Sequence, residues 1–298
     1  MDIVQLLNID SFYAMILIIN LAIAVVILAG VKFISAMISN VDATKELSKK
    51  DNHAFGISIA GVALGVSIMM TGVMSGEASQ NYKVEFILVT AYGILGVFLM
   101  SLTRLIFDKV SMPHFSIKDE VAKGNVAAAI IDAGNVVATA VIIRAVMIWM
   151  EGDTLSGMMF VLAGYVLSQA ILSLVSLYRV KSFNAHHKSS LHEVIVDGNV
   201  ATAWRFSGFR IGVALAITAA SGMVPYSTDN LVQIGILWLV ISIIMMIVMF
   251  LIVEITDKVI LSGIDVREEV DNQKNTGIAA IQFAVTISVG IIIATLAS

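Results

Sequence analysis

The chain has 298 residues, 58% of them hydrophobic and 13% charged, with a mean hydropathy of +0.94 and a formal net charge of -4. Soluble domains carry roughly 25% charged residues, so a water-soluble globule is excluded. The chain has no cysteine, which rules out disulfides, thiolate metal sites and cysteine nucleophiles, and its slight acidity gives no basis for nucleic-acid binding.

In chain order, apolar segments fall at about 12–38, 53–74, 86–107, 125–150, 155–178, 199–224, 231–253 and 276–296. Each is long enough to cross a hydrocarbon layer of roughly 30 Å as a helix. Backbone polar groups in lipid must be satisfied within the segment, so the expected fold class is an all-α membrane protein of about eight transmembrane helices. The first segment follows Asp2 and Asp10 rather than Lys or Arg, and it is too long for the apolar core of a secretion signal. It is therefore expected to stay in the mature protein. Connections near 75–85, 151–154 and 225–230 are short, whereas those near 39–52, 108–124, 179–198 and 254–275 are longer and charged. The long connections and adjoining helix ends hold basic residues such as Lys45, Lys109, Lys118, Lys181, Lys258 and Arg267. The short connections and both termini hold only Lys83. This asymmetry predicts long loops in the cytoplasm and both termini outside.

An internal repeat organises the chain. The second, fourth, sixth and eighth segments align without gaps on Asn52, Asn125, Asn199 and Asn275. Six residues before each Asn stands an acid: Glu46, Asp119, Glu193 or Glu269. Small residues recur two, four, nine and thirteen positions after it, as in Gly61 and Gly65, Gly134 and Ala138, and Gly208 and Gly212. An Asn at the start of a helix caps orphan backbone donors, and small residues four apart let lipid-embedded helices approach closely. Ser116 with Asp119, and Ser190 with Glu193, have capping-box spacing and suggest short surface helices. A functional alternative places the four Asn side chains around a cytoplasmic mouth. The chain thus reads as four parallel-oriented helix hairpins related by an axis along the membrane normal. They group into two four-helix modules at 1–150 and 151–298, because Asp108-Lys109-Val110 recurs as Asp257-Lys258-Val259.

The stretch from Asp119 to Ile130, with Gly124-Asn125 followed by Ala127-Ala128-Ala129, resembles the E-x-x-x-G-N-x-A-A-A signature of the YjfL-like bacterial inner-membrane family. Gly198-Asn199 with Ala201 and Ala203 repeats it in the second module, whereas Asn52 and Asn275 lack the preceding Gly. That family is catalogued as a domain of unknown function with four helices per domain. The resemblance implies a tandem duplication and a multi-pass bacterial inner-membrane protein, and it supplies no activity.

Polar residues inside membrane helices are costly and are functional candidates by default. Asp132 lies seven residues past Asn125, with Asn135 close by. Arg205 and Arg210 lie six and eleven past Asn199, and Gln282 shares the Asp132 column. At 1.5 Å per residue Asp132 and Arg205 stand at similar depth, roughly 10 Å inside the boundary. A pair between them is the expectation, since buried charge needs a partner. Arg144 is placed near the outer boundary, within reach of Glu151. The fifth segment carries Tyr165, Ser168, Gln169, Ser173 and Ser176, either bonded between packed helices or lining water. The histidines lie in or beside the long connections, and His186, His187 and His192 match no metal motif and read as solvated loop. No metal or cofactor is expected. No P-loop, nucleophile elbow, zincin or dinucleotide fingerprint is present, so an enzyme is not expected.

Two functions remain. A small-ion or solute channel or transporter needs a hydrated cavity reaching Asp132 and the polar face of the fifth segment. A membrane scaffold or accessory subunit, docking a cytoplasmic partner through the charged linkers, needs only a dry, packed core. Intramembrane charge favours the first by a small margin. The partners expected are the lipid bilayer and either a second copy of the chain or a cytoplasmic protein.

Overall fold

The computed structural model describes residues 11–39, 41–76, 79–113, 116–150, 157–227 and 230–298. Among these the fold is all-helical, with eight helices long and apolar enough to cross a membrane. In order the elements are α1 (Ser11–Ser39), α2 (Ala43–Ser48), α3 (His53–Met74), α4 (Tyr82–Ile106), α5 (Ile117–Ala122) and α6 (Val126–Trp149). They continue as α7 (Gly157–His186), α8 (Leu191–Val196), α9 (Val200–Met223), α10 (Leu231–Ile260) and α11 (Thr276–Ala297). A π-helical turn, Phe107–Ser111, prolongs α4, and another, Glu268–Asn272, stands in the fourth linker where the other linkers have α2, α5 and α8.

Helices α7 and α10 run on to His186 and Ile260, past the ends of their apolar runs. Beyond the hydrocarbon edge the backbone keeps its helical hydrogen bonds without needing apolar side chains, so hydropathy alone shortens these two helices. The large apolar side chains of α1 and α10 point outward, with Leu17 64%, Val26 71%, Phe33 72% and Val232 77% exposed. Contiguous apolar surface of this kind is stable only against lipid. The chain is a multi-pass membrane protein.

The Asn-capped helices form a row through the fold, with α6 and α9 at its buried middle. Helix α3 packs on α6, α6 on α9, and α9 on α11, in sequence. Among the described residues α3 and α11 share no extended contact, so the four stand in an open row. The uncapped helices sit against it: α1 on α3 and α4, α4 on α3 and α6, α7 on α6, and α10 on α9 and α11.

Glycines set the spacing within the row. A Cβ on Gly61 would fall 2.4 Å from the Ala133 Cβ, one on Gly134 would fall 2.5 Å from the Ser207 Cβ, and one on Gly208 would fall 2.9 Å from the Phe283 Cα. Each glycine is nine residues past its own Asn, and each partner is eight past the next. One interface is therefore used three times, head to tail, at a separation that only a missing side chain allows.

Candidate functional site

The linker ends of the capped helices carry the most regular chemistry. Asn52 Oδ1 accepts from the Phe55 amide at 3.0 Å, Asn125 from Ala128 at 3.2 Å, Asn199 from Thr202 at 3.1 Å, and Asn275 from Gly277 and Ile278 at 3.1 and 3.3 Å. The residue before each Asn is left-handed, with φ of 47° at Asp51, 90° at Gly124, 74° at Gly198 and 57° at Lys274. The preceding Gly of the second and third units is thus one solution to a backbone turn that all four share.

The other end of the Asn side chain reaches out of its own unit. Asn52 Nδ2 donates to the Val121 and Ala122 carbonyls at 3.1 and 3.4 Å. Asn125 Nδ2 donates to Ile195 and Val196 at 2.9 and 3.3 Å, and Asn199 Nδ2 to Val270 and Asp271 at 3.5 and 3.4 Å. Each acceptor pair closes the short linker helix or π turn of the following unit, where last-turn carbonyls lack an intrahelical donor. The Asn residues therefore do not ring a mouth: they stand in line, and each ties its helix to the next linker.

The four acids divide. Glu46 is buried, accepts from Lys50 Nζ at 2.6 Å and Asn52 Nδ2 at 3.0 Å, and these two donors hold its carboxyl below the ordinary range. Glu269 accepts from Asn275 Nδ2 at 2.9 Å. In the second unit the Asn125 ligand is Glu120, at 3.1 Å, whereas Asp119 is exposed and its amide donates to the Ser116 cap. Glu193 closes a capping box with Ser190 and is exposed. The column matched in sequence at minus six is thus occupied in two roles, because a six-residue helix turns its acid toward or away from the Asn with a one-residue change in register.

Deeper in the membrane the expected pairs are replaced by others. Asp132 Oδ2 accepts from Arg104 Nη2 at 2.6 Å and from Ser58 Oγ at 2.5 Å, so α3, α4 and α6 meet at one carboxylate. Arg205 instead lies 3.2 Å from Asp271, which also meets His187 Nε2 at 3.0 Å. The π turn brings Asp271 inward, and His187 stacks on Phe183 at 3.9 Å rather than belonging to a solvated loop. Gln282 Nε2 donates to Asp257 at 2.8 Å, joining α11 to α10. Asp132 and Gln282 thus share a column, yet each takes a partner from the outer helix of its own module. His114 and Glu151 lie outside the described residues, and Arg144 Nε donates to Thr71 Oγ1 at 2.9 Å.

Arg210 is 1% exposed and gathers four helices. Nη2 donates to Asn135 Oδ1 on α6 at 2.5 Å, Nη1 donates to Ser176 Oγ and to the Leu172 carbonyl on α7, and the guanidinium lies 4.8 Å from the Phe107 ring at the end of α4. Among the described residues no carboxylate is within ion-pair distance of it, and Arg210 Nε and Asn135 Nδ2 make no hydrogen bond. The polar face of α7 is buried in the same seam, with Tyr165 on Thr103 at 2.9 Å and Gln169 on Thr139 at 3.1 Å. A small, partly open recess beside Arg104 measures about 10 Å³, room for about one water. Among the described residues no His, Asp and Glu side chains cluster to hold a metal ion.

Sequence reasoning passed over Arg104, Ser58 and Asp271. Arg104 reads as a basic residue at a helix end, and Asp271 as loop charge.

No curated protein and no solved structure matches the chain. Residues 6–147 and again 153–297 match the family described as Domain of Unknown Function (DUF350). With nearly its whole length covered in two tandem copies, the chain belongs to the DUF350 family.

Proposed function

We propose that the chain is a non-catalytic membrane scaffold of the bacterial inner membrane, which holds its charged linkers as a rigid cytoplasmic ledge and offers that ledge to a protein partner. One observation carries this reading: three of the capping Asn residues bond the linker carbonyls of the next unit, so the linkers are ordered as a continuous strip. A surface already ordered loses little entropy when a partner binds. Lys45, Lys49, Lys118, Asp119 and Asp197 are exposed along it. The cytoplasmic placement rests on the basic residues of the long connections. The close packing of α3, α6, α9 and α11 supports the same reading, since a wide water path would hold these backbones apart.

Arg210 favours a second reading, a pathway for a small anion that the described conformation holds closed. A buried guanidinium without a carboxylate, beside unbonded Arg210 Nε and Asn135 Nδ2, leaves local positive charge in the seam. Proteoliposome flux separates the two readings. On the scaffold reading chloride, K⁺, Na⁺ and H⁺ fluxes all stay at the empty-vesicle level, and a photo-crosslinker at Lys118 captures a discrete protein in cells while one at Val26, 71% exposed on α1, does not. Chloride flux that falls at least tenfold in Arg210→Gln would replace the scaffold with the pathway.

A further inference from the structure

The interface between units is made three times inside the chain and is open at both ends of the row. Two and nine residues past each Asn stand Ala54 and Gly61, Ala127 and Gly134, and Ala201 and Gly208, all buried, the glycines against the next unit. The equivalent positions on α11, Gly277 and Ala284, are exposed, as is Ser288 one turn further on. On the receiving side, eight and twelve past each Asn, Ala133 and Val137, Ser207 and Ile211, and Phe283 and Ile287 are buried or half-buried. Their counterparts on α3, Ala60 and Leu64, are exposed, Leu64 by 60%.

The polar half of the interface is open in the same places. Asn52, Asn125 and Asn199 each donate to carbonyls of the following linker, whereas Asn275 Nδ2 bonds only Glu269 of its own unit among the described residues. At the other end the Ser48 and Lys49 carbonyls stand where Val121 and Ala122 stand one unit later, four and three residues before the Asn. An open recess of about 440 Å³, lined by Leu47, Asn52, Gly56, Ile57 and Ala60, lies beside them.

We infer that a second copy of this chain docks on these faces: α11 of one copy, through Gly277, Ala284 and Ser288, packs on Ala60 and Leu64 of α3 in the next, and Asn275 caps the end of its α2. The contact is heterologous, joining two different faces, so it continues the row from one copy to another. Ala284 in place of glycine sets α11 and α3 slightly further apart than the internal pairs. The inference rests on the repeated interface and is independent of the scaffold reading.

Because the chain has no cysteine, paired cysteines report the contact directly. Two differently tagged chains, one Ala60→Cys and the other Ala284→Cys, are co-expressed and oxidised in native membranes. The expected result is a mixed-tag disulfide dimer at least fivefold above that from Ala60→Cys with Ile255→Cys, whose cysteine would sit on the lipid-facing side of α10. A mixed-tag yield equal to that control overturns the inference, and so does Ala284→Cys linking to itself as strongly as to Ala60→Cys. A second measurement does not depend on disulfide geometry. In native nanodiscs the unaltered chain should have at least twice the mass of one copy, and Ser288→Trp, at an exposed position, should return it to one. A single-copy mass for the unaltered chain, or no change on Ser288→Trp, also overturns it.

Discussion

Asp132 shows how a single carboxylate is kept in the membrane. Arg104 and Ser58 both donate to one of its oxygens, so the charge is shared among three helices rather than left in the hydrocarbon. Asp132→Asn leaves Arg104, with its side chain 13% exposed, without a counter-charge. It should cost about 3 kcal/mol, the lower end for a broken buried pair because the guanidinium keeps some access to solvent. Arg104→Met with Asp132→Leu should recover most of that loss, and reversible unfolding in mixed detergent micelles measures both sides of the cycle. Glu46 makes a different prediction. Its carboxyl titrates below its ordinary 4.5 in the fold because Lys50 and Asn52 bond the charged form. Its contribution is therefore complete above about pH 4.5 and disappears as pH falls through the lower folded value. Amide protection across residues 42–56, with rates corrected for the intrinsic pH dependence of exchange, should fall on acidification through that window, and Glu46→Gln should weaken that fall, leaving the part due to the Asp42 cap. Protection that stays constant in the unaltered chain would show that the carboxylate does not hold the cap.

At the scale of elements, the capped helices were legible and their polar partners were not. A polar Asn at the head of each long apolar run, followed by small residues at fixed offsets, marks helix start and packing face together. Those signals survive in sequence because every unit needs them. The partners of Asp132 and Gln282 lie on α4 and α10, which carry no repeat columns, so depth alone suggested Arg205 and missed Arg104. The minus-six column holds Asp119, yet the acid that meets Asn125 is Glu120, because a short helix before Gly124 admits two registers and this one turns Glu120 inward. The spacing columns make their own prediction. Gly134→Ala puts a Cβ 2.5 Å from the Ser207 Cβ and must push α6 from α9, at a cost of about 2–3 kcal/mol. Gly235→Ala, on α10 with nothing within 4 Å of the new carbon, should change stability by less than about 0.5 kcal/mol. Thermal unfolding of the two variants in one detergent compares them, and equal losses would show that the glycines do not set the row.

For the whole molecule, the repeat announced four similar hairpins but not their arrangement. The same columns suit a closed ring and an open row, and only the head-to-tail contact of position nine on position eight separates them. That contact joins Gly61 to Ala133, Gly134 to Ser207 and Gly208 to Phe283, positions about one unit apart in the chain. The feature has a consequence in time. A ribosome adding about 5–20 residues per second delivers each partner roughly 4–15 s after the glycine groove it must fill. For those seconds the newest hairpin sits in lipid with its groove uncovered and its Asn amide reaching for a linker not yet made. Insertion is thus a relay, in which every hairpin is completed by its successor, and a pause in synthesis leaves the newest groove uncovered in the bilayer.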